Sequence, residues 1–451
     1  MSRGAGSWSL ERAEDHLLGL ELFGMRFGLD RMRRLLTVLG SPQTSFASIH
    51  VVGTNGKSST VRMTEALLAR HGRRAGSYTS PHLVSFTERV RADGGEIAGW
   101  ELATAVQRAA RAAEAVDRTR PADDGVTQFE LLTAAAFSAL AERGVEVVVV
   151  EAGLGGRWDA TNTIASTVQA LTNVGLEHTR WLGPTVRDIA REKLAVVRDG
   201  ATLAIGSGLH PDALDEATLA ASRHEARLVR SPPTLPVDLA APGTFQRHNF
   251  ALAATATAAF LGAETRAGDA RAGDALAGDA LAGGDVAGEV LARLDEAAVR
   301  EVAGSVSVAG RLEVVGRAPV TVVDGAHNPA GVRALVESLP EVVGERWPVA
   351  VVSVLEDKDA AGMLRELLAC SCAVVFTRNA NPRALSPGTL ESLARQVSAD
   401  PPPIELEADP GRALARAREL AGPDGAVLAT GSIYLIADLA RGGPARRAST
   451  L

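Results

Sequence analysis

The chain has 451 residues, room for two or three domains of ordinary size. Hydrophobic residues make up 46% and charged residues 22%, which suits large buried cores and excludes wholesale disorder. The 47 basic and 54 acidic residues leave a net charge of −7, which argues against a nucleic-acid coat or a polybasic membrane anchor but leaves local loops free to bind a small anion.

No run approaches 18 apolar residues, and the first ten residues lack a long apolar core, so neither a membrane span nor a signal peptide is expected. Cys370 and Cys372 cannot build a disulfide framework and lack the paired spacing of a zinc site. A reducing, cytoplasmic setting is the expectation.

In chain order, residues 48–52 form a short apolar strand, a Gly-rich turn follows, and residues 60–70 show helical spacing through Val61, Met63, Leu67 and Leu68. A helix is predicted over about 131–143. The run VEVVVV at 145–150 reads as a parallel strand covered on both faces. Strands at 167–172 and 201–205 follow, with a helix at about 186–197 between them. This alternation indicates a doubly wound α/β sheet. Residues 266–284 repeat a crude Ala-Gly-Asp unit poor in bulky side chains, which predicts a flexible surface insertion over about 265–285. One helix is predicted at about 286–299. A second α/β pattern then begins, with strands at 320–323, 349–354, 373–377 and 426–430. The boundary is placed near 304–310, giving domains of 1–304 and 308–451.

The chemistry-bearing types gather at strand ends. Gly53-Thr54-Asn55-Gly56-Lys57-Ser58-Ser59 sits between a strand and a helix, where backbone N–H groups and a helix N-terminus cradle phosphate oxygens. Lys57 would supply charge to the outer phosphates, and a hydroxyl of Ser58, Ser59 or Thr60 would face phosphate or its metal. The loop is not a strict Walker A, since Val51 stands where that pattern has Gly, and a turn that binds nothing is the bland alternative. Glu151 ends the VEVVVV strand ahead of Gly153-Leu154-Gly155-Gly156-Arg157, at the edge where open α/β sheets bind ligands. By itself it could equally cap the next segment. His178 ends the following strand. Lys193, read locally, is an exposed helix lysine. Asp324-Gly325-Ala326-His327-Asn328-Pro329 and Gly431-Ser432 repeat the pattern in the second half, with an Asx-type helix entry as the alternative for Asp324.

Further strings join these in a fixed order: Thr79-Ser80-Pro81-His82-Leu83, Thr127 with Phe129-Glu130, Asp159-Ala160-Thr161-Asn162, Glu192-Lys193, Gln246 with Asn249, Gly310-Arg311-Leu312-Glu313 and Asp357-Lys358-Asp359. In this order they resemble the folylpolyglutamate synthase and dihydrofolate synthase family, part of the wider group of Mur-type ATP-dependent amide ligases. The match runs over about 17–437.

The resemblance implies an N-terminal P-loop ATPase-like domain with a mostly parallel sheet and a smaller C-terminal Rossmann-like α/β domain. It implies an enzyme that uses ATP to add L-glutamate to dihydropteroate, to folates, or to both, through an acyl phosphate. Asn55, Gly56, Lys57, Ser58, Ser59, Asn249, Arg311 and Asp324 match its ATP contacts, and Ser80, Glu151 and His178 its Mg²⁺ ligands, for two ions. Lys193 matches a lysine that the family carbamylates. His327 and Ser432 match its handling of glutamate, while Phe129, Glu130, Gly155, Gly156 and Arg157 would border the pterin. Lys57, Lys193 and His327 would be the catalytic set, in a monomer that needs neither nucleic acid nor membrane. The chain departs from the family at Ser58 (usually Gly), Glu177 (usually Asp), Leu194-Ala195-Val196 (commonly Ala-Gly-Ile) and Phe245 (usually His). These departures motivate one alternative, a paralogous Mur-type ligase joining another acid and amine.

Overall fold

A computed structural model of the chain describes residues 6–20, 28–121, 123–272 and 286–441. Fourteen strands form two sheets among these residues. The first sheet comprises β1 (Ala47–Val52), β2 (Ala75–Tyr78), β3 (Val90–Ala92), β4 (Gly95–Glu96), β5 (Val147–Glu151), β6 (Val168–Leu171), β7 (Thr202–Ile205) and β8 (Arg227–Arg230). Its order is β4-β3-β2-β5-β1-β6-β7-β8, and every pair from β2 to β8 is parallel. The second comprises β9 (Glu313–Arg317), β10 (Val320–Val323), β11 (Val349–Val352), β12 (Ala373–Phe376), β13 (Ile404–Leu406) and β14 (Ala426–Thr430). Its order is β13-β12-β11-β14-β10-β9, parallel except where β9 meets β10.

Strand alternation explains why β5 is continuously apolar. Val148 and Val150 enter the core under the helix Gln128–Glu142, while Val147 and Val149 enter the opposite core against the helix Thr244–Ala272. Each fully buried valine of this kind contributes about 1.5–3 kcal/mol of transfer free energy. Met63 and Leu67, on the helix Lys57–Arg70, pack with Phe250, Ala251 and Ala254 of the long helix. That packing anchors the phosphate-loop helix from behind.

The structure differs from the sequence expectation in several helices. The helix predicted to start at residue 60 begins at Lys57, because Gly56 takes a left-handed conformation (φ 82°) that lets the turn wind directly into the helix. The helix Thr244–Ala272 carries its backbone through the first seven residues of the Ala-Gly-Asp stretch, whose alanines favour helix; the remainder, 273–285, lies outside the described residues. The single helix expected over 286–299 is two, Val286–Leu291 and Glu296–Ser305, because Asp295 accepts the Ala298 N–H at 2.7 Å and starts a new N-terminus. No helix of the described residues is long and apolar enough to cross a membrane.

Candidate active site

Four neighbouring strands, β2, β5, β1 and β6, end side by side, and each end carries a candidate group: Ser80, Glu151, the loop 53–59, and Glu177-His178. The loop is held from below. Thr54 and Asn55 donate their backbone N–H groups to the Asn173 carbonyl and side chain, both at 2.9 Å, and Thr172 Oγ1 donates to the Asn55 carbonyl at 2.7 Å. Gly56 is the N-cap of the helix Lys57–Arg70, and no side chain caps that end. A Cβ on Gly56 would collide with the Asn249 side-chain oxygen. The unused N–H groups of the first turn therefore face outward as an anion cradle. Lys57 Nζ rests on the Thr54 carbonyl at 3.2 Å.

Glu151 is buried between two donors. Its Oε1 accepts the Ser58 hydroxyl at 3.0 Å and its Oε2 accepts the Ser80 N–H at 3.1 Å. Burial raises its pKa, and the Lys57 charge and these two bonds oppose the rise. Lys193, exposed on a local reading, is only 4% exposed and donates to the Gly53 carbonyl at 2.7 Å. Burial, then the Lys57 charge, lowers its pKa to about 7. The partly buried His178 is lowered to about 3, first by burial and then by Lys358, so its ring is neutral at physiological pH.

The glycine loop after Glu151 packs directly on the Lys193 helix. A Cβ on Gly156 would lie 2.6 Å from the carbonyl oxygens of both Glu192 and Lys193. Gly156→Ala is therefore expected to cost about 1–3 kcal/mol and to lower the melting temperature by about 2 °C or more; melting like the parent would contradict the close approach. Gly155 is buried beside it, and the exposed Arg157 pairs with Glu192 at 2.9 Å. Phe129 packs under Gly153, where a Cβ would lie 2.6 Å from its ring. Glu130 has a different occupation: it closes a capping box with Thr127 and accepts Arg31 Nε at 3.2 Å. Asp159 anchors the loop by accepting the N–H of Leu154 at 2.7 Å and the hydroxyl of Thr161, which in turn meets buried His50 at 2.9 Å.

The second sheet brings its own strand ends to this place. After β10, Asp324 accepts the N–H groups of Leu312 and Ala326, each at 2.7 Å. Burial raises its pKa, opposed by Arg311. His327 Nδ1 faces the Gly325 carbonyl at 2.9 Å, and its Nε2 faces Glu177 Oε1 across the cleft at 2.9 Å. Lys358 Nζ reaches the same Glu177 oxygen at 3.3 Å. Asn55 and Asn328 exchange two amide hydrogen bonds, at 3.2 and 2.9 Å. Ser432, buried after β14, accepts the Tyr434 N–H at 3.2 Å, and Gly431 donates its N–H to the Ala326 carbonyl. Asn249 donates to Gln246 at 3.1 Å and helps line a cleft with Thr172, Asn173, Gly206, Ser207 and His248.

Hydrogen bonds thus link the 53–59 loop with Ser80, Glu151 and Lys193, and tie it to the turn after β10 through Asn55–Asn328, where Glu177–His327 joins the chain after β6; Glu130 is engaged in a capping box and Arg157 is exposed. Sequence reading gave no role to Glu177, Lys358, Asn328 or Asn173. Glu177 had a signal, as the lengthened acid beside His178. Among the described residues no group of three His, Cys, Asp or Glu side chains stands together as a ready metal site.

Comparison with known proteins shows which family the chain resembles. The family described as Mur ligase, glutamate ligase domain, matches residues 310–433. The chain is 34% identical over 400 residues to the dihydrofolate synthase/folylpolyglutamate synthase of Mycobacterium tuberculosis, covering 81% of this chain and 76% of that protein. Its structure is similar to that of M. tuberculosis folylpolyglutamate synthase complexed with ADP, with a TM-score of 0.82, 30% identity, and 97% and 99% of the two chains covered. It also resembles a bifunctional folylpolyglutamate synthase/dihydrofolate synthase with Mn, AMPPNP and L-glutamate bound. There the TM-score is 0.77 at 28% identity, covering 96% of this chain and 98% of the other.

Proposed function

The chain belongs to the dihydrofolate synthase/folylpolyglutamate synthase family of ATP-dependent ligases, and from that premise we propose that its facing strand ends join L-glutamate to dihydropteroate, to folates, or to both. The observation that carries the reading is the pair of side-chain amide hydrogen bonds between Asn55 in the phosphate loop and Asn328 beside His327. It sets the nucleotide loop against the part of the second sheet where an incoming amine would be handled.

A carboxylate is a poor electrophile at neutral pH. One of its oxygens attacks the γ-phosphorus of ATP, the bond to ADP breaks, and an acyl phosphate results. The glutamate amine then attacks the acyl carbon, phosphate leaves with the bonding pair, and the amine gives up a proton as the amide forms. The N–H groups of the helix beginning at Lys57 hold the phosphates, and Lys57 follows the charge as the γ-phosphoryl group moves. Gly56, Ser59, Asn249 and Arg311 border the nucleotide, while Asp324 shapes the turn that presents Arg311. His327 and Ser432 orient glutamate. Phe129, Gly155 and Gly156 form a wall for the acceptor, Arg157 flanks it, and Glu130 holds Phe129 in place through its helix cap.

The donor set at Ser80, Glu151 and His178 fits a divalent cation that arrives with nucleotide: one buried carboxylate, one hydroxyl and one neutral imidazole leave the remaining positions to phosphate oxygens. Mg²⁺ bound there would neutralise charge on the migrating phosphoryl group. With its pKa lowered to about 7 by burial, Lys193 offers a neutral amine at physiological pH that can bond to CO₂, releasing a proton to give an anionic carbamate.

An acceptor panel read by mass spectrometry tests the proposal. With ATP, Mg²⁺ and L-glutamate, dihydropteroate or a folate should gain one glutamyl unit with release of phosphate. Phosphate release with an unrelated acid, and none with either pterin, would instead favour the paralogous Mur-type ligase.

A further inference from the structure

Within the phosphate loop, Ser58 donates its side-chain hydroxyl to Glu151. The sheet order explains the contact. Glu151 ends β5, which lies between β1 and β2, with Val51 of β1 in register beside it. The chain leaving β1 rises over the loop and returns as the helix Lys57–Arg70, whose first turn brings Ser58 Oγ to 3.0 Å from Glu151 Oε1. On the other flank, the chain leaving β2 brings the Ser80 N–H to 3.1 Å from Oε2. Each carboxylate oxygen therefore receives one donor, from opposite sides.

Donor arithmetic then assigns the hydroxyl. A serine has a single O–H and two lone pairs. With its hydrogen given to Glu151, Ser58 has none left for a phosphate oxygen, and its lone pairs would repel one. Without Ser58 the carboxylate would keep only the Ser80 bond, and its terminal torsion is intrinsically soft.

Resting on the metal-site reading above, we propose that Ser58 is a positioning residue for the divalent cation: its hydroxyl locks the plane of the Glu151 carboxylate so that the free lone pair of each oxygen faces the metal–nucleotide complex. Partners that orient a metal ligand are typically worth ten- to a hundredfold in metal affinity. The Ser58 hydroxyl is accordingly not a phosphate contact.

The test uses the full chain with Mn²⁺ and the non-hydrolysable nucleotide AMPPNP, following bound Mn²⁺ by electron paramagnetic resonance and AMPPNP alone by calorimetry in EDTA. Ser58→Ala should hold Mn²⁺ about tenfold more weakly in the ternary complex, with metal-free AMPPNP affinity unchanged. Ser58→Thr, which keeps the hydroxyl, should retain Mn²⁺ as the parent does. Parent-like Mn²⁺ binding by Ser58→Ala would overturn the proposal, as would equal losses in the Ala and Thr variants. A parallel fall in metal-free AMPPNP affinity would place the hydroxyl on phosphate and also overturn it. If the parent enzyme itself bound no Mn²⁺ with AMPPNP, the metal-site reading would fall and this proposal with it. Normal parent binding with an unaffected Ser58→Ala defeats the Ser58 role alone.

Discussion

Lys57→Ala is expected to lower kcat by about a hundred- to a thousandfold, the loss typical when one preorganised charge is removed from a developing anion. Lys57, Lys193, Arg311 and Lys358 lie within electrostatic reach of this place, and of these only Lys57 belongs to the loop itself. Lys358 is engaged with Glu177 at 3.3 Å. Lys193 is buried, committed to the Gly53 carbonyl, and has its pKa held near 7. Arg311 approaches from the second sheet, beside Asp324. Lys57 alone combines partial exposure with a position on the helix N-terminus, and its single bond, to Thr54, is easily exchanged for a phosphate oxygen. A smaller effect should accompany the loss. The Lys57 charge pulls the Glu151 pKa down and pushes the Lys193 pKa down. Removing it lets both rise, so both limbs of the residual pH–rate profile should move to higher pH. Turnover above a tenth of the parent value, in a variant with unchanged melting, would rule out this role for Lys57.

Lys193→Met should lose about ten- to a hundredfold in turnover and yet melt at a higher temperature. In the folded chain the amine titrates near 7, below its ordinary value of 10.5. Between those two pH values the unfolded chain holds a proton that the folded chain has shed, so stability falls as pH drops from about 10.5 toward 7. Below about 7 the folded state carries a buried charge and the whole penalty is present. Methionine, of similar volume and uncharged, removes that penalty. The gain in melting temperature should be largest near pH 6 and vanish as the pH approaches the ordinary lysine range. Thermal melts across that interval check the sign: a melting temperature lowered at pH 6 would mean that the charged amine is favourably solvated in place. The activity loss has its own check, since a carbamate labelled from ¹³C-bicarbonate should give a carbonyl resonance in the parent and none in Lys193→Met. A fully active Lys193→Met would end the proposed role.

Much of the site was legible because strand-to-helix turns advertise themselves. The β-branched runs at β1, β5 and β10 located three strand ends, and the residues following them, Gly56-Lys57, Glu151 and Asp324-His327, were found by position alone. The short strands β2, β3, β4, β8, β9 and β13 escaped because two to five residues, several of them polar, give too little alternation to register. The resemblance implies that Glu130 borders the pterin, and the structure gives it a further task, closing a capping box with Thr127 three residues earlier.

The sequence by itself determined the α/β class, the phosphate loop and the family, because these rest on periodicity and on short strings whose backbone requirements are local. Only the tertiary structure decided which groups meet. Lys193 is charged-looking and solvent-ready in its own helix, and it becomes a buried amine because that helix packs against Gly156 and the loop after β1. Glu177 is joined to His327 and Lys358, 150 and 181 residues away, by the docking of one sheet's ends on the other's. No local pattern carries such a distance: the pairing is set by strand order, and strand order is chosen by the burial of whole faces, not by any one residue.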